Sequence, residues 1–241
     1  MVSAPICVPI SISIGAGSGE AVKTVMNRAF TLADMVELRI DGMKNPNLAD
    51  LLHDPPGPVL VTNRRKEEGG AYTGSELKRI GLLEDAIALG AQYVDVEAST
   101  DGKLIDRIKA RINAANHSTK SMDCAARLIL SWHDFRGTPT EAMLQEQFHK
   151  MQGIGADIIK MVTFAESIED NLRLLNLLAY GHRQGQEMIA FCMGTMGRPS
   201  RIMAPLFGSC MTYASLEAGT ESAPGQLTAG EMKQIWEIMA I

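Results

Sequence analysis

The sequence predicts an α/β fold, a single-domain (β/α)8 TIM barrel, and three observations carry that prediction. Eight short apolar segments recur along the 241 residues. Amphipathic segments with helical spacing separate most of them. The chain length is also close to the roughly 250 residues that eight strand–helix units require. We find no linker, low-complexity tract or strong internal repeat, so we expect one catalytic domain over residues 1–241.

The eight strand candidates are β-branched, aromatic or continuously apolar, which is typical of strands covered on one or both faces. In chain order they are 6–12, 35–40, 59–64, 93–98, 127–133, 157–164, 188–194 and 208–214. A doubly wound sheet is the alternative fold. Against it, the GAGSG segment at 15–19 lacks the glycine spacing and the following acidic residue of a dinucleotide site.

The helix candidates place leucine, isoleucine and methionine at helical spacing. Residues 75–90 end at Gly90, a residue type that commonly terminates helices. Residues 140–155 open with Thr140, which is a start signal. The remaining candidates are 167–185 and a final helix at 227–239.

Composition excludes several classes of protein. The net charge of −5 argues against a general nucleic-acid binder, which needs a basic face. The four cysteines are scattered without metal-ligand or disulfide spacing, so we expect small core residues in a reducing compartment; they are Cys7, Cys124, Cys192 and Cys210. The N-terminus lacks the pattern of an export signal, and no segment reaches the roughly 18 apolar residues of a membrane span. We therefore expect a soluble cytoplasmic protein.

Polar residues gather where the predicted strands end, which is where barrel enzymes place their chemistry. Alternate strand residues face the same side, so Glu37, Arg39 and Asp41 form one row, and Asp95 and Glu97 form another. Charges inside a barrel are costly unless they are paired or used. A structural ion-pair ladder is therefore the alternative to a functional role for these rows.

Lys160 lies inside the apolar segment GADIIKMVTF, and His133 is the one histidine at the end of a predicted strand. Each has an ordinary explanation, since Lys160 could extend its amine to solvent and His133 could be a satisfied core histidine. Together they suggest more. A desolvated lysine is a usable nucleophile that forms imines with ketones, and a nearby histidine can move the proton alpha to the imine. Arg39, Arg64 and Arg201 would supply charge for an anionic substrate.

Chemistry alone thus indicates a Schiff-base lyase or aldolase acting on a carboxylated or phosphorylated keto compound. A class I aldolase for sugar phosphates is one alternative, although the glycines of 208–226 are dispersed. A magnesium enzyme using Glu37, Asp95 and Glu97 is a second. A barrel that only binds a ligand is a third.

Eight segments, in order along nearly the whole chain, resemble the type I 3-dehydroquinate dehydratases. They are ELRID (37–41), TNRRKEEGG (62–70), VDVE (94–97), SWHDFRGTP (131–139), GADIIK (155–160), MGTMGRPSR (193–201), FGS (207–209) and SAPGQL (222–227). GADIIK or SAPGQ alone is a weak signal, but the joint occurrence is specific. The resemblance implies a (β/α)8 barrel that converts 3-dehydroquinate to 3-dehydroshikimate, with no cofactor or metal, and a homodimer.

The resemblance also implies roles for individual residues. Lys160 matches the imine-forming lysine, His133 the general acid/base and Glu68 the carboxylate that orients that histidine. Arg201 matches the arginine that pairs with the substrate carboxylate, and Met193 an apolar residue against the ring. The positions that hold the ring hydroxyls and close over the site are matched by Glu37, Arg39, Arg64, Ser222 and Gln226.

The chain departs from the family pattern at a few pocket positions. Phe191 and Tyr213 vary side chains that line the pocket in relatives, Asn63 stands where an aromatic is common, and Pro9 stands where some relatives carry a polar residue. Pro224 and Gly225 predict a loop at SAPGQL, which is either a mobile lid or a plain surface turn.

Overall fold

The structure, a computed structural model, describes residues 8–15, 17, 19–118 and 125–239. Cys7, Cys124 and the first two residues of the predicted strand 6–12 lie outside the described residues. Strands and helices alternate along the chain. The strands are β1 Ile10–Ile14, β2 Met35–Arg39, β3 Val59–Thr62, β4 Tyr93–Glu97, β5 Arg127–Asp134, β6 Ile158–Phe164, β7 Glu187–Met193 and β8 Thr212–Ala214. The helices are α1 Glu20–Phe30, α2 Leu48–Leu51, α3 Glu76–Ala88, α4 Gly102–Ser118, α5 Glu141–Ile154, α6 Glu169–Arg183, α7 Arg198–Met203 and α8 Ala229–Met239.

The strands form one sheet in the order β7-β6-β5-β4-β3-β2-β1-β8. The pairs β1–β8, β2–β3, β3–β4 and β4–β5 are parallel. A parallel bridge between Met188 and Ser209 joins β7 to the segment that leads into β8, and the Cys210 amide donates to the Met188 carbonyl at 2.8 Å. The strand order is therefore cyclic, which is the connectivity of a (β/α)8 barrel. The predicted fold class is confirmed.

The strand bounds agree with the predicted ones within two residues except at β1 and β8, which begin later for local reasons. Proline lacks an amide hydrogen, and β1 begins just after Pro9, whose carbonyl still accepts from the Thr212 amide at 3.1 Å. β8 begins four residues later than predicted. Gly208 has a φ of 100°, a left-handed conformation that ends the preceding 3-10 turn rather than starting a strand.

The described chain divides into two compact units. The first unit contains residues 13–15, 17, 19–118, 125–132 and 156–158, and its strand interiors are fully buried at positions such as Leu38, Val61 and Val94. The second unit contains residues 8–12, 133–155 and 159–239, with Phe148, Leu174 and Ile189 in its core. None of the helices in the described ranges has the length and hydropathy of a membrane-spanning segment.

Candidate active site

Lys160 is the third residue of β6 and is buried, with 6% of its surface exposed. Its Nζ donates a hydrogen bond to the hydroxyl of Tyr213 at 3.2 Å and lies 4.4 Å from the centroid of the same ring. Tyr213 is itself 3% exposed. The amine thus ends beside a buried aromatic ring and does not extend into solvent. The hydrogen bond and the cation–π contact with Tyr213 stabilise this lysine inside an otherwise apolar strand.

His133 is the second-last residue of β5 and is half-buried. Its ring stacks on Phe135, with centroids 5.8 Å apart and an interplanar angle of 16°. Phe135 is 46% exposed. The imidazole therefore packs against a neighbouring ring and keeps part of its surface exposed, as a group that exchanges protons with a ligand requires.

Arg201, in the short helix α7, is the most unusual charge of the second unit because it is 1% exposed and has no carboxylate partner among the described residues. Its guanidinium lies over the Phe191 ring at 4.4 Å, and its Nη2 approaches the Pro224 carbonyl at 3.5 Å. Within the described part of the chain, its Nε and Nη1 have no hydrogen-bond partner. Burial lowers the pKa of Arg201 to about 10, which leaves it cationic at neutral pH. A buried cation with two unused donors is suited to an anionic ligand.

The loop after β8 is held against the end of β7. The Ser222 amide donates to the Gln226 side-chain oxygen at 2.9 Å, and the Gln226 amide nitrogen donates to the Ser222 hydroxyl at 3.1 Å. The Gly194 amide, directly after Met193, donates to the Pro224 carbonyl at 3.0 Å. Met193 is buried at the end of β7. The structure thus brings together the predicted loop residues Ser222 and Gln226.

Gly225 is required for this docking, and its replacement by alanine tests whether the loop acts as a lid. Its φ is 82°, and a Cβ there would lie 2.2 Å from the Gly194 carbonyl oxygen. Gly225→Ala should displace the loop and raise KM about tenfold, since left-handed alanine alone costs about 1 kcal/mol and the clash adds to it. Gly219→Ala is the matched control, because Gly219 has a φ of 87° and nothing within 4 Å of a Cβ. Equal KM values for the two variants in steady-state kinetics would favour a plain surface turn.

In the first unit, the ELRID row is a ladder of paired side chains. Glu37 is buried and accepts from the Thr62 hydroxyl at 2.6 Å and from the Ser13 hydroxyl. Arg39 makes a bidentate pair with Asp41, at 2.9 and 2.8 Å. Asp41 also accepts from the backbone amides of Arg64 and Ala71, at 3.1 and 3.0 Å.

Asp41 therefore holds the start of the segment that follows β3. Burial alone would raise the pKa of Asp41, but the hydrogen bond and charge of Arg39 hold it below its ordinary value. The carboxylate stays ionised and keeps these contacts at neutral pH. This is the structural ladder that the spacing offered as an alternative for Asp41.

Arg64 lies in a buried cluster of charges, 3% exposed. Its guanidinium pairs with Asp95 at 2.8 Å and Glu97 at 3.3 Å, and donates to the Ser131 hydroxyl at 2.6 Å. Burial alone would lower the pKa of Arg64, but the charges of Asp95 and Glu97 raise it above its ordinary value.

Arg79, on α3, completes this cluster and was missed by the sequence analysis. It is fully buried and donates to Glu97 at 2.6 Å, to the Asn63 carbonyl at 3.1 Å and to the Thr100 hydroxyl at 2.9 Å. A helical arginine at an apolar-face position was its only sequence signal. Arg79 fixes the carboxylate that in turn pairs with Arg64.

Glu68 ends a 3-10 turn, Lys66–Glu68, and is half-buried. Its Oε1 accepts from the hydroxyl of Ser99 at 2.8 Å. Burial raises the pKa of Glu68 above its ordinary value, and the Ser99 hydrogen bond and the Arg64 charge offset this only in part. Ser99 was also missed, since a serine in a turn after a strand has no distinguishing sequence signal.

The predicted site residues divide between the two units. Lys160, His133, Met193, Arg201, Ser222 and Gln226 belong to the second unit, and Glu37, Arg39, Arg64 and Glu68 belong to the first. Asp95 and Glu97, named in the magnesium alternative, are engaged by arginines. Over the residues that the structure describes, no group of three or more His, Cys, Asp or Glu side chains is placed to hold a metal ion.

Comparison with known proteins decides the family. The family model described as type I 3-dehydroquinase matches residues 6–241. The chain belongs to the type I 3-dehydroquinase family. The curated 3-dehydroquinate dehydratase of Methanococcus maripaludis is 36% identical over 234 residues, covering 97% of this chain and 99% of that protein.

Solved structures of 3-dehydroquinate dehydratases have the same fold. The enzyme of Aquifex aeolicus VF5 superposes with a TM-score of 0.76 at 27% identity, covering 95% of this chain and 97% of that one. The enzyme of Geobacillus kaustophilus HTA426 has a TM-score of 0.84 at 24% identity, covering 97% and 91%. The type I 3-dehydroquinase resemblance inferred from the sequence motifs is confirmed.

Proposed function

We propose that this chain dehydrates 3-dehydroquinate to 3-dehydroshikimate through an imine on Lys160, as a hydro-lyase of the shikimate route to aromatic amino acids. Membership of the type I 3-dehydroquinase family supports the reaction. The observation that carries the mechanism is the buried amine of Lys160, in the same unit as His133 and the buried Arg201, which has no carboxylate partner among the described residues.

The Lys160 amine condenses with the C3 ketone, takes up one proton from solvent and releases water. The resulting iminium acidifies the neighbouring C2 hydrogen, because the developing negative charge delocalises into the positive nitrogen. His133 removes that proton, and the enamine expels the C1 hydroxyl as water with the proton from His133. Hydrolysis of the conjugated imine then releases 3-dehydroshikimate and returns Lys160. The protonated imine is the electron sink, so the mechanism as proposed needs no cofactor or metal.

The remaining predicted residues bind or orient in this proposal. Glu68 orients His133, and its raised pKa follows from partial burial. Met193 packs on the substrate ring, and Ser222 and Gln226 close over it as the loop docks on Gly194. The family resemblance assigns the ring hydroxyls to Glu37, Arg39 and Arg64.

In this proposal Arg201 pairs with the substrate carboxylate. Its replacement should therefore weaken substrate binding without lowering the stability of the free protein. Arg201→Met should lower kcat/KM by about 10²–10³-fold, because truncating one partner of a buried charge pair costs about 2–5 kcal/mol. The same variant should unfold at an equal or higher temperature, since the free protein loses a buried cation with unsatisfied donors. Steady-state kinetics and thermal unfolding measure the two effects.

Arg79→Met is the contrasting variant, because Arg79 is equally buried but fully paired. It should destabilise the protein by about 3–5 kcal/mol, since Glu97 then keeps one fewer partner in the interior. Arg201→Met with unchanged KM, or with the same loss of stability as Arg79→Met, would rule out the carboxylate-binding role.

We also propose that residues 1–241 act as one catalytic domain, that the protein is a homodimer, and that it works in the cytoplasm. Similarity to relatives over nearly the full chain supports the single domain, and the family resemblance suggests the dimer. Sedimentation velocity at micromolar concentration tests the dimer, and a monomer at all concentrations would refute it.

A further inference from the structure

The hydroxyl of Tyr213 directly contacts the amine that the proposed mechanism uses as its nucleophile. The Oη of Tyr213 lies 3.2 Å from the Nζ of Lys160. The Tyr213 ring packs on Phe191, with centroids 5.9 Å apart, and Phe191 in turn supports the guanidinium of Arg201. Two aromatic rings in tilted contact, with an interplanar angle of 58°, therefore lie against the amine and the buried cation.

The ring and the hydroxyl of Tyr213 make separable contributions. The ring supplies the cation–π contact at 4.4 Å and the packing against Phe191, and a phenylalanine would supply both. Only the hydroxyl supplies a group that both donates and accepts a hydrogen bond. A buried hydroxyl is costly unless it is bonded, and here one of its bonds is to the reactive nitrogen.

We propose that Tyr213 is a further catalytic residue, whose hydroxyl transfers a proton between Lys160 and the ketone oxygen during imine formation and hydrolysis. This inference rests on the proposed function. Nitrogen and oxygen are bonded to the same carbon once the amine has attacked, so a hydroxyl beside Nζ is also within reach of that oxygen.

The step is balanced without any co-reactant. The bond from Nζ to the ketone carbon forms as the carbon–oxygen π bond breaks, which leaves a positive nitrogen and a negative oxygen. Tyr213 gives its hydroxyl proton to that oxygen and takes a proton from nitrogen, so it ends the step as it began. The neutral carbinolamine then takes up one proton from solvent and loses water to give the iminium, and the reverse sequence returns that proton during imine hydrolysis.

Oxygen exchange measures this step in isolation. The enzyme is incubated with 3-dehydroshikimate in ¹⁸O-labelled water, and mass spectrometry follows label entering the ketone, with the enzyme-free rate subtracted. Each cycle of imine formation and hydrolysis replaces the ketone oxygen with a solvent oxygen. Tyr213→Phe should slow enzyme-catalysed exchange by about 10²-fold, the lower range for a positioned acid–base group.

Tyr180→Phe is the matched control, because the Tyr180 hydroxyl bonds to His149 between α5 and α6, away from Lys160. It should exchange oxygen at the wild-type rate. A wild-type rate in Tyr213→Phe would overturn the role of Tyr213 and leave the dehydratase proposal intact. Absence of exchange in the wild-type enzyme would instead contradict the imine route itself.

A second variant keeps the proposal testable if Tyr213→Phe does not fold. Incorporation of 2,3-difluorotyrosine at position 213 retains the ring and the hydroxyl but makes the phenol more acidic. In a plot of exchange rate against pH, the decline of the rate on the alkaline side should then occur at lower pH than in the wild type. An unmoved decline in a folded, fluorinated enzyme would contradict proton transfer by Tyr213, because a purely structural hydroxyl does not set the pH of that decline.

Discussion

Replacing Lys160 with methionine should reduce kcat by about 10⁴-fold or more, because the amine that forms the proposed imine is removed. Methionine is one atom shorter than lysine but keeps an unbranched apolar stem, and its sulfur should contact the Tyr213 ring that the amine contacts now. We therefore expect the variant to fold with a melting temperature equal to or above that of the wild type. The measurement is the appearance of 3-dehydroshikimate by its ultraviolet absorbance at saturating 3-dehydroquinate.

Lys233→Met is the control for a Lys→Met replacement outside the proposed site, because Lys233 lies on the exposed face of α8. It should turn over at the wild-type rate. Lys160→Met with kcat within tenfold of the wild type would contradict covalent catalysis by Lys160.

His133→Ala should lower kcat by about 10²–10⁴-fold, the usual contribution of a positioned general acid/base. The loss should be confined to proton transfer, since Lys160 can still condense with the ketone. Borohydride should consequently trap the substrate on Lys160 in this variant, while exchange of the C2 hydrogen with deuterated water is nearly lost. Retained trapping with lost C2 exchange indicates a proton-transfer role. A structural role for His133 would instead impair both trapping and exchange.

His149→Ala provides the comparison, because His149 lies on the exposed side of α5 and bonds to Tyr180. It should change neither readout. Unchanged turnover in His133→Ala would remove His133 from the mechanism.

Much of the fold followed from the sequence because strand order in a barrel follows chain order. Each apolar segment pairs with its neighbours in sequence, so recognising eight segments was nearly sufficient. The interior helix bounds followed from short-range signals, such as the Thr140 side chain that accepts from the Met143 amide. The misplaced strand ends lay at Pro9 and Gly208, where backbone conformation overrides apolar composition.

Residue type and position alone singled out Lys160 and His133 as candidates, since a lysine in an apolar strand and a histidine at a strand end are unusual. Their partners could not be predicted in this way. Contact between Lys160 and Tyr213 joins residues on β6 and β8, and depends on packing that no local pattern encodes. Among the described residues, no hydrogen-bond acceptor contacts the Nε and Nη1 of Arg201, and this too depends on tertiary packing.

The charged ladder of the first unit is a second case in which sequence spacing identified the residues but not their partners. The ELRID spacing predicted a row of charges but did not choose between catalysis and mutual pairing. In the structure, Arg39 is paired with Asp41, and Arg64 is paired with Asp95 and Glu97. The buried Arg79, on a helix, was needed to complete the cluster.

Borohydride reduction in the presence of 3-dehydroquinate, followed by peptide mass mapping, is the most direct test of the central claim. Reduction converts an imine to a stable amine, so a substrate-derived adduct on the peptide containing Lys160 is the predicted result. Loss of activity should parallel formation of that adduct. An enzyme that turns over 3-dehydroquinate, yet shows no adduct on Lys160 after reduction, would contradict covalent catalysis and leave the buried lysine with a purely electrostatic role.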